Sequence, residues 1–254
     1  MASKPTGAGA RTSRPKSSGG RPNFRDRAVV IRTYDFGEAD RIIVLLTHHH
    51  GLVRAVAKGV RRAKSRFGSR LQHFVDLDVQ FYEGRNLHTI SQADTVGYYG
   101  AHIIDDYERY TAACAALEAA EKLALDTDPY FYEAIVAAFR DFQHEPPTRV
   151  LDRFLLHAMA HSGWAPSLFD CAQCGTPGPH HAFHPAIGGA ACHECRPPGA
   201  AEVDPETLHH LWLLAHGHPS TPTPAQEAEG HRLAIAHLQW HIERKVTALA
   251  VMDQ

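Results

Sequence analysis

The hydrophobic pattern of this chain changes period once, near Gly100, and that change limits the folds open to it. Between Asp26 and Val96 the apolar residues form short runs rich in Val, Ile, Phe, Tyr and Thr: Ala28–Tyr34, Arg41–Thr47, Leu52–Lys58, Phe74–Tyr82 and Leu87–Ala93. Turn chemistry separates them at Phe36-Gly37-Glu38, His50-Gly51 and Glu83-Gly84-Arg85-Asn86, so each run reads as a strand. Five short strands in so little chain favour a closed barrel, because closure leaves no unpaired edge. Among such barrels the five-stranded OB-fold fits best, with an SH3-like barrel as the alternative.

Beyond Gly100 the period is helical. Ile103, Ile104, Tyr107, Tyr110, Cys114, Leu117 and Leu125 mark one apolar face, and Cys114 reads as a small core residue on it. Asp128-Pro129 predicts an N-cap and a proline at the first helical position, opening a second helix to about Phe142. Glu145-Pro146-Pro147 breaks it. A third helix turns Val150, Leu151, Phe154, Leu155, Ala158 and Met159 inward and stops at Gly163. Asp204-Pro205 starts another that ends near Gly217, Pro219–Pro224 reads as a linker, and a last helix carries Leu233, Leu238, Trp240, Ile242, Val246 and Leu249. The expected class is α+β: an OB-fold barrel over 24–100, then an all-α helical domain over 101–254. Residues 1–23, mostly Gly, Pro, Ser, Lys and Arg with almost nothing to bury, are expected to form a disordered basic tail.

Four of the five cysteines fall in two C-x-x-C pairs, Cys171/Cys174 and Cys192/Cys195. Two such knuckles let four thiolates converge on one Zn²⁺, and a zinc finger is expected over 168–200. The intervening Gly-, Pro- and His-rich loop has too few large apolar residues to fold unaided, and metal binding would stabilise it. His180, His181, His184 and His193 are spare ligands, read here as surface residues. A closed four-sulfur shell suits a structural zinc rather than a catalytic one. The chain also lacks the His-Glu-x-x-His, phosphate-loop and Gly-x-Ser-x-Gly motifs, so it reads as a non-enzyme.

No apolar run reaches the roughly 20 residues that a membrane helix requires, and the N-terminus lacks a secretory apolar block. These features point to the cytoplasm. Residues 1–100 hold 17 Lys and Arg against 8 Asp and Glu, whereas the remainder holds 9 against 20. Such asymmetry suits a chain whose first half meets a polyanion. The basic charge concentrates from the third strand through its connection to the fourth, where Arg54, Lys58, Arg61, Arg62, Lys64, Arg66 and Arg70 occur with no acidic residue among them. Gly59 and Gly68 would let the backbone approach a phosphate, and Ser65 and Ser69 can donate to its oxygens. Phe67 reads either as a platform for a stacked base or as an anchor to the barrel, the anchor being favoured.

Lys58-Gly59-Val60-Arg61-Arg62, Lys64-Ser65-Arg66-Phe67-Gly68 and Leu71-Gln72 resemble the signature of the bacterial RecO family, as does the hairpin Tyr34-Asp35-Phe36-Gly37-Glu38-Ala39-Asp40-Arg41. The likeness covers most of residues 26–200; His48, His49 and His50 depart from it. It implies a nucleoid-associated recombination mediator that binds single- and double-stranded DNA through the OB-fold and anneals complementary strands. It also implies association with RecR, help in loading RecA on gapped DNA, and action alongside single-stranded DNA-binding protein. Two other readings compete: a zinc-bearing protein-interaction scaffold, and a subunit of a nucleic-acid enzyme such as a DNA ligase. The ligase reading lacks its Lys-x-Asp-Gly motif.

Overall fold

Residues that alternate inward and outward build β1 (Asn23–Phe36), β2 (Asp40–Thr47), β3 (Leu52–Ala57), β4 (Val75–Tyr82) and β5 (His88–Tyr98), each overlapping its predicted run. In the computed structural model, which describes residues 22–125 and 127–242, these strands close in the order β1-β2-β3-β5-β4. β1 closes the barrel because it is long: its 14 residues pair with β4 through the N-terminal half and with β2 through the rest. β3 and β5 run parallel and every other pair is antiparallel, which is the OB-fold arrangement. Ala28, Val30, Ile43, Leu45, Leu77, Val79, Phe81 and Ile90 fill the interior. The alternate residues Val29, Ile31, Val44 and Leu46 point outward into the core of the helical half. Two adjacent strands are thus buried on both faces, and so Ala28–Ile31 reads as an unbroken apolar run.

The helices are α1 (Gly100–Ile103), α2 (Tyr107–Leu123), α3 (Tyr130–Asp141), α4 (Pro147–His161), α5 (Pro205–Ala215) and α6 (Pro224–His241). α2 starts at Asp106, whose carboxylate accepts the Arg109 N–H at 3.0 Å. Its inward face differs from the expected one. Ala112, Ala113, Ala115, Ala116, Ala119 and Ala120 are buried with Leu117, while Ile104, Tyr107, Tyr110 and Leu125 are exposed. Small side chains let neighbouring helices approach closely, and of the large residues that suggested a core face Ile103 and Leu117 are buried while the other four lie outside. Asp128 accepts the Tyr130 N–H at 2.9 Å, although the helix proper begins at Tyr130 rather than Pro129. All six residues assigned to the inner face of α4 are buried. α5 follows Asp204, whose carboxylate accepts the Glu206 N–H, and α6 opens with a Thr223–Gln226 capping box. On α6 Leu233 and Leu238 are buried, whereas Trp240 is exposed. Val246, Leu249 and the basic tail up to residue 21 lie outside the described residues.

The helical half also holds a small sheet that its sequence does not announce. β6 (Ala182–His184) is flanked by β7 (Gly189–Ala191) and β8 (Ala201–Glu202). Barrel and helices are tied by a buried network. Arg27 pairs with Asp76 on β4, and Asp76 Oδ1 accepts the Tyr132 hydroxyl of α3 at 2.7 Å. Burial and this neighbouring carboxylate raise the Tyr132 pKa, so the phenol stays a donor. Arg32 on β1 reaches Glu121 on α2 at 2.5 Å. Among the described residues no helix is long and apolar enough to cross a membrane.

Candidate nucleic-acid interface and metal centre

The basic connection joins β3 to β4 as a chain of tight turns. Arg62 N–H donates to Gly59 O, Ser65 N–H to Arg62 O, Gly68 N–H to Ser65 O and Arg70 N–H to Phe67 O, at 2.9–3.2 Å. Its start is fastened to the β1–β2 hairpin. Gly59 N–H donates to Asp40 Oδ1 at 2.7 Å and Arg61 N–H to Ala39 O at 3.0 Å. Gly59 adopts φ +69° there, which a side chain would disfavour.

Phe67 is 1% exposed and packs in the barrel core with Leu71. This agrees with the favoured anchor reading and removes Phe67 from the set of DNA-contacting candidates. A base cannot stack on a ring both of whose faces are covered, and Phe67 is the anchor. Replacing it with Ala should remove about 3–5 kcal/mol of stability. In urea titrations the midpoint should fall, whereas Phe67→Leu should keep most of the stability and the DNA affinity. A Phe67→Leu protein that is stable yet loses DNA binding would restore the stacking role.

Arg54, Lys58, Arg61, Arg62, Lys64, Arg66 and Arg70 are all exposed. They are not equivalent. Arg61 pairs with exposed Asp35 at 3.3 Å. Arg66 donates to Ile90 O at 3.3 Å and lies 4.8 Å above the Phe67 ring, and Arg70 donates to Arg66 O. No carboxylate among the described residues forms an ion pair with Arg54, Lys58, Arg62 or Lys64. Sequence reasoning missed two aromatics on the hairpin that the connection is fastened to: Tyr34 and Phe36 are 44% and 49% exposed. Their alternation around Asp35, beside a basic stretch, was the available signal.

The second centre gathers the four cysteines. Cys171 and Cys174 sit in a tight turn closed by the Gly175 N–H donating to Cys171 O at 2.9 Å, and Cys192 and Cys195 follow directly on β7. The knuckles are held together by Ala172 N–H donating to Ala190 O, with Ser167 bridging to Gly188 and Ala190. Gly189 is required at that crossing: its φ is +137° and a Cβ would lie 2.3 Å from Ser167 O. The four sulfurs lie within 4.8 Å of one another, and Cys174 and Cys192 are 3.7 Å apart. A tetrahedral Zn²⁺ with Zn–S near 2.3 Å needs sulfurs about 3.8 Å apart, so the set fits a structural metal. Burial opposes ionisation of Cys171, but the amides of Cys192, Cys174 and Gln173 outweigh it and draw the thiol down to about 6. Neighbouring Cys192 and Cys174 push Cys195 up to about 12. A divalent cation at the centre would hold all four as thiolates.

None of the spare histidines joins this group. His181 and His193 are exposed and His184 is half-buried. His180 is not the surface residue expected: it is 6% exposed and its ring nitrogen meets Thr176 O at 3.0 Å.

Residues 22–99 match the family model described as recombination protein O, N terminal, and residues 104–250 match that described as recombination protein O, C terminal. The first span is the barrel with its cationic connection and the second is the helical half with its cysteine ribbon. Together they cover most of the sequence, and the chain belongs to the RecO family of proteins, mediators in DNA recombination and repair.

Proposed function

We propose that the barrel over 24–100 is the DNA-binding domain and that it binds single- and double-stranded DNA through the β3–β4 connection. One observation carries this reading: seven exposed cations, Arg54 on β3 and six on the anchored connection that follows it, stand with no acidic residue among them. Arg54, Lys58, Arg62 and Lys64 supply the phosphate contacts, while Tyr34 and Phe36 offer ring faces to unstacked bases. Neutralising phosphates on two complementary strands lowers their repulsion and lets them pair. Backbone contacts carry no base information, so binding shows little sequence preference. The family resemblance supports the finer steps: association with RecR, action on DNA coated by single-stranded DNA-binding protein, and assistance to RecA on gapped DNA in the bacterial nucleoid. Zn²⁺ is the ion that the four thiolates hold.

Annealing of complementary oligonucleotides, bare and coated with single-stranded DNA-binding protein, tests the proposal. The protein should accelerate pairing in both cases. Acceleration of bare strands alone would reduce it to a plain DNA binder. No DNA affinity in residues 24–100 would instead favour the protein-interaction scaffold.

A further inference from the structure

The run His48-His49-His50, which the resemblance leaves unexplained, forms the turn between β2 and β3. That turn is rigid: Thr47 N–H and Oγ1 both donate to Gly51 O at 2.8 Å, His50 N–H donates to Thr47 Oγ1 at 3.1 Å, and His48 N–H donates to Arg27 O at 2.9 Å. It faces Asp26 of β1, a carboxylate 4% exposed. Two backbone amides orient this carboxylate, Arg27 N–H on Oδ1 at 2.8 Å and His49 N–H on Oδ2 at 2.9 Å. His49 Nδ1 lies 3.0 Å from Asp26 Oδ1, and His48 Nδ1 lies 3.3 Å from His49 Nδ1.

We propose that Asp26, His48 and His49 form a second metal site, for a borderline-soft divalent cation of the Zn²⁺ class. Three observations carry it. First, ligand atoms on all three residues lie within 4.8 Å of one another. Zn–N and Zn–O bonds of about 2.0–2.2 Å at tetrahedral angles place ligand atoms roughly 3.3–3.5 Å apart, close to the 3.0 and 3.3 Å seen here. Second, His48 Nε2 meets Glu133 Oε1 of α3 at 2.9 Å. A ring N–H donated to that carboxylate fixes the tautomer and turns the Nδ1 lone pair toward His49. A carboxylate on the far nitrogen is the usual companion of a metal-bound imidazole. Third, His48 Nδ1 lies within reach of both ring nitrogens of His49, 3.0 Å from Nε2 and 3.3 Å from Nδ1, so the two imidazoles and the carboxylate meet at one point. His50 holds the other Asp26 oxygen through Nδ1 at 2.6 Å and so orients the carboxylate, leaving water to complete the coordination. The exposed side of His49 supplies the entry path. Imidazole and carboxylate donors select Zn²⁺, Co²⁺ or Ni²⁺ over Ca²⁺ or Mg²⁺. An ion here would clamp the β2–β3 turn of the barrel to α3 through Glu133.

The test uses untagged full-length protein titrated with Zn²⁺ and, in parallel, with Co²⁺. Wild type should bind two equivalents. One gives the thiolate-to-metal absorption of the cysteine centre and the second gives none. His48→Gln/His49→Gln should lose only the second equivalent, and Glu133→Gln should weaken it about 10- to 100-fold without abolishing it. Added Zn²⁺ should raise the Tm of wild type beyond the thiolate-bound equivalent and leave the double variant unmoved. A wild type that stops at the thiolate-bound equivalent would overturn the site, as would a second equivalent that persists in the double variant. If the cysteine centre fails to bind, the absorption is missing while the histidine-dependent equivalent remains, so the two claims stay distinguishable.

Discussion

Replacing Lys58, Arg62 and Lys64 together with Ala should weaken DNA binding roughly a thousandfold at 50 mM salt and flatten its salt dependence. The magnitude follows from counterion release. Each phosphate contact contributes about 0.7 to the slope of log K against log salt on single strands and about 0.9 on duplex. Three lost contacts therefore remove about 2 to 3 from the slope, and the two proteins should converge near 1 M salt. These residues are chosen because they are exposed and form no ion pair with a described carboxylate, so stability should change by no more than about 0.5 kcal/mol. Arg66 is a poorer probe, since it braces the connection through Ile90 O and the Phe67 ring. Affinity and slope measured by fluorescence anisotropy from 50 mM to 400 mM salt decide the matter. A triple variant with both values unchanged would falsify the assignment of the connection as the DNA contact.

Stripping the metal from the cysteine centre should unfold the ribbon between α4 and α5. Structural zinc contributes about 10–16 kcal/mol of apparent binding free energy in zinc-finger peptides, more than the whole net stability of many domains. The ribbon has little else. β6 and β7 are three residues each and β8 is two, and the main apolar contribution to the helical core is Phe183 with Ala190, Leu168 and Val203. Cys192→Ser, or strong chelation, should open the segment between Gly175 and Gly189 to proteolysis while the barrel stays intact. Protein that keeps its protease resistance after complete metal removal would show that the fold does not depend on the ion.

The strands and most of the helix boundaries could be read from the sequence because turn residues and capping side chains stand at their ends. Asp128 and Asp204 act locally, and local chemistry is what a sequence displays, whereas the caps at Asp106 and Thr223 went unread. The inward face of α2 could not be read, since six alanines bury less area each than the tyrosines outside and leave a faint periodic signal. The strands of the ribbon are too short to show any alternation. Phe67 illustrates a different limit. An aromatic within a basic stretch can face a base or a core, and only the position of the barrel beneath it decides. The cysteine centre was legible because its spacing is itself the chemistry. The Asp26–histidine cluster was not, because more than twenty residues of chain separate its members and only the pairing of β1 with β2 unites them.

Phe74 ends the basic connection at φ +63°, the only non-glycine among the described residues with a left-handed backbone. Such a conformation costs about 1–3 kcal/mol and persists only where surroundings impose it. Here they are the rings of Tyr110 and Phe139, which meet Phe74 edge-on at 5.7 and 5.5 Å, and the Tyr99 N–H, which donates to Phe74 O at 2.9 Å. The β1–β2 hairpin holds the start of the connection at Gly59 and Arg61, Phe67 is seated in the barrel and Phe74 among the helices, so the whole connection is held at three points. Its cations are preorganised, and a nucleic acid meets a template already set rather than a tail that it has to order. The fold, more than the ligand, therefore determines how many phosphates are engaged at once.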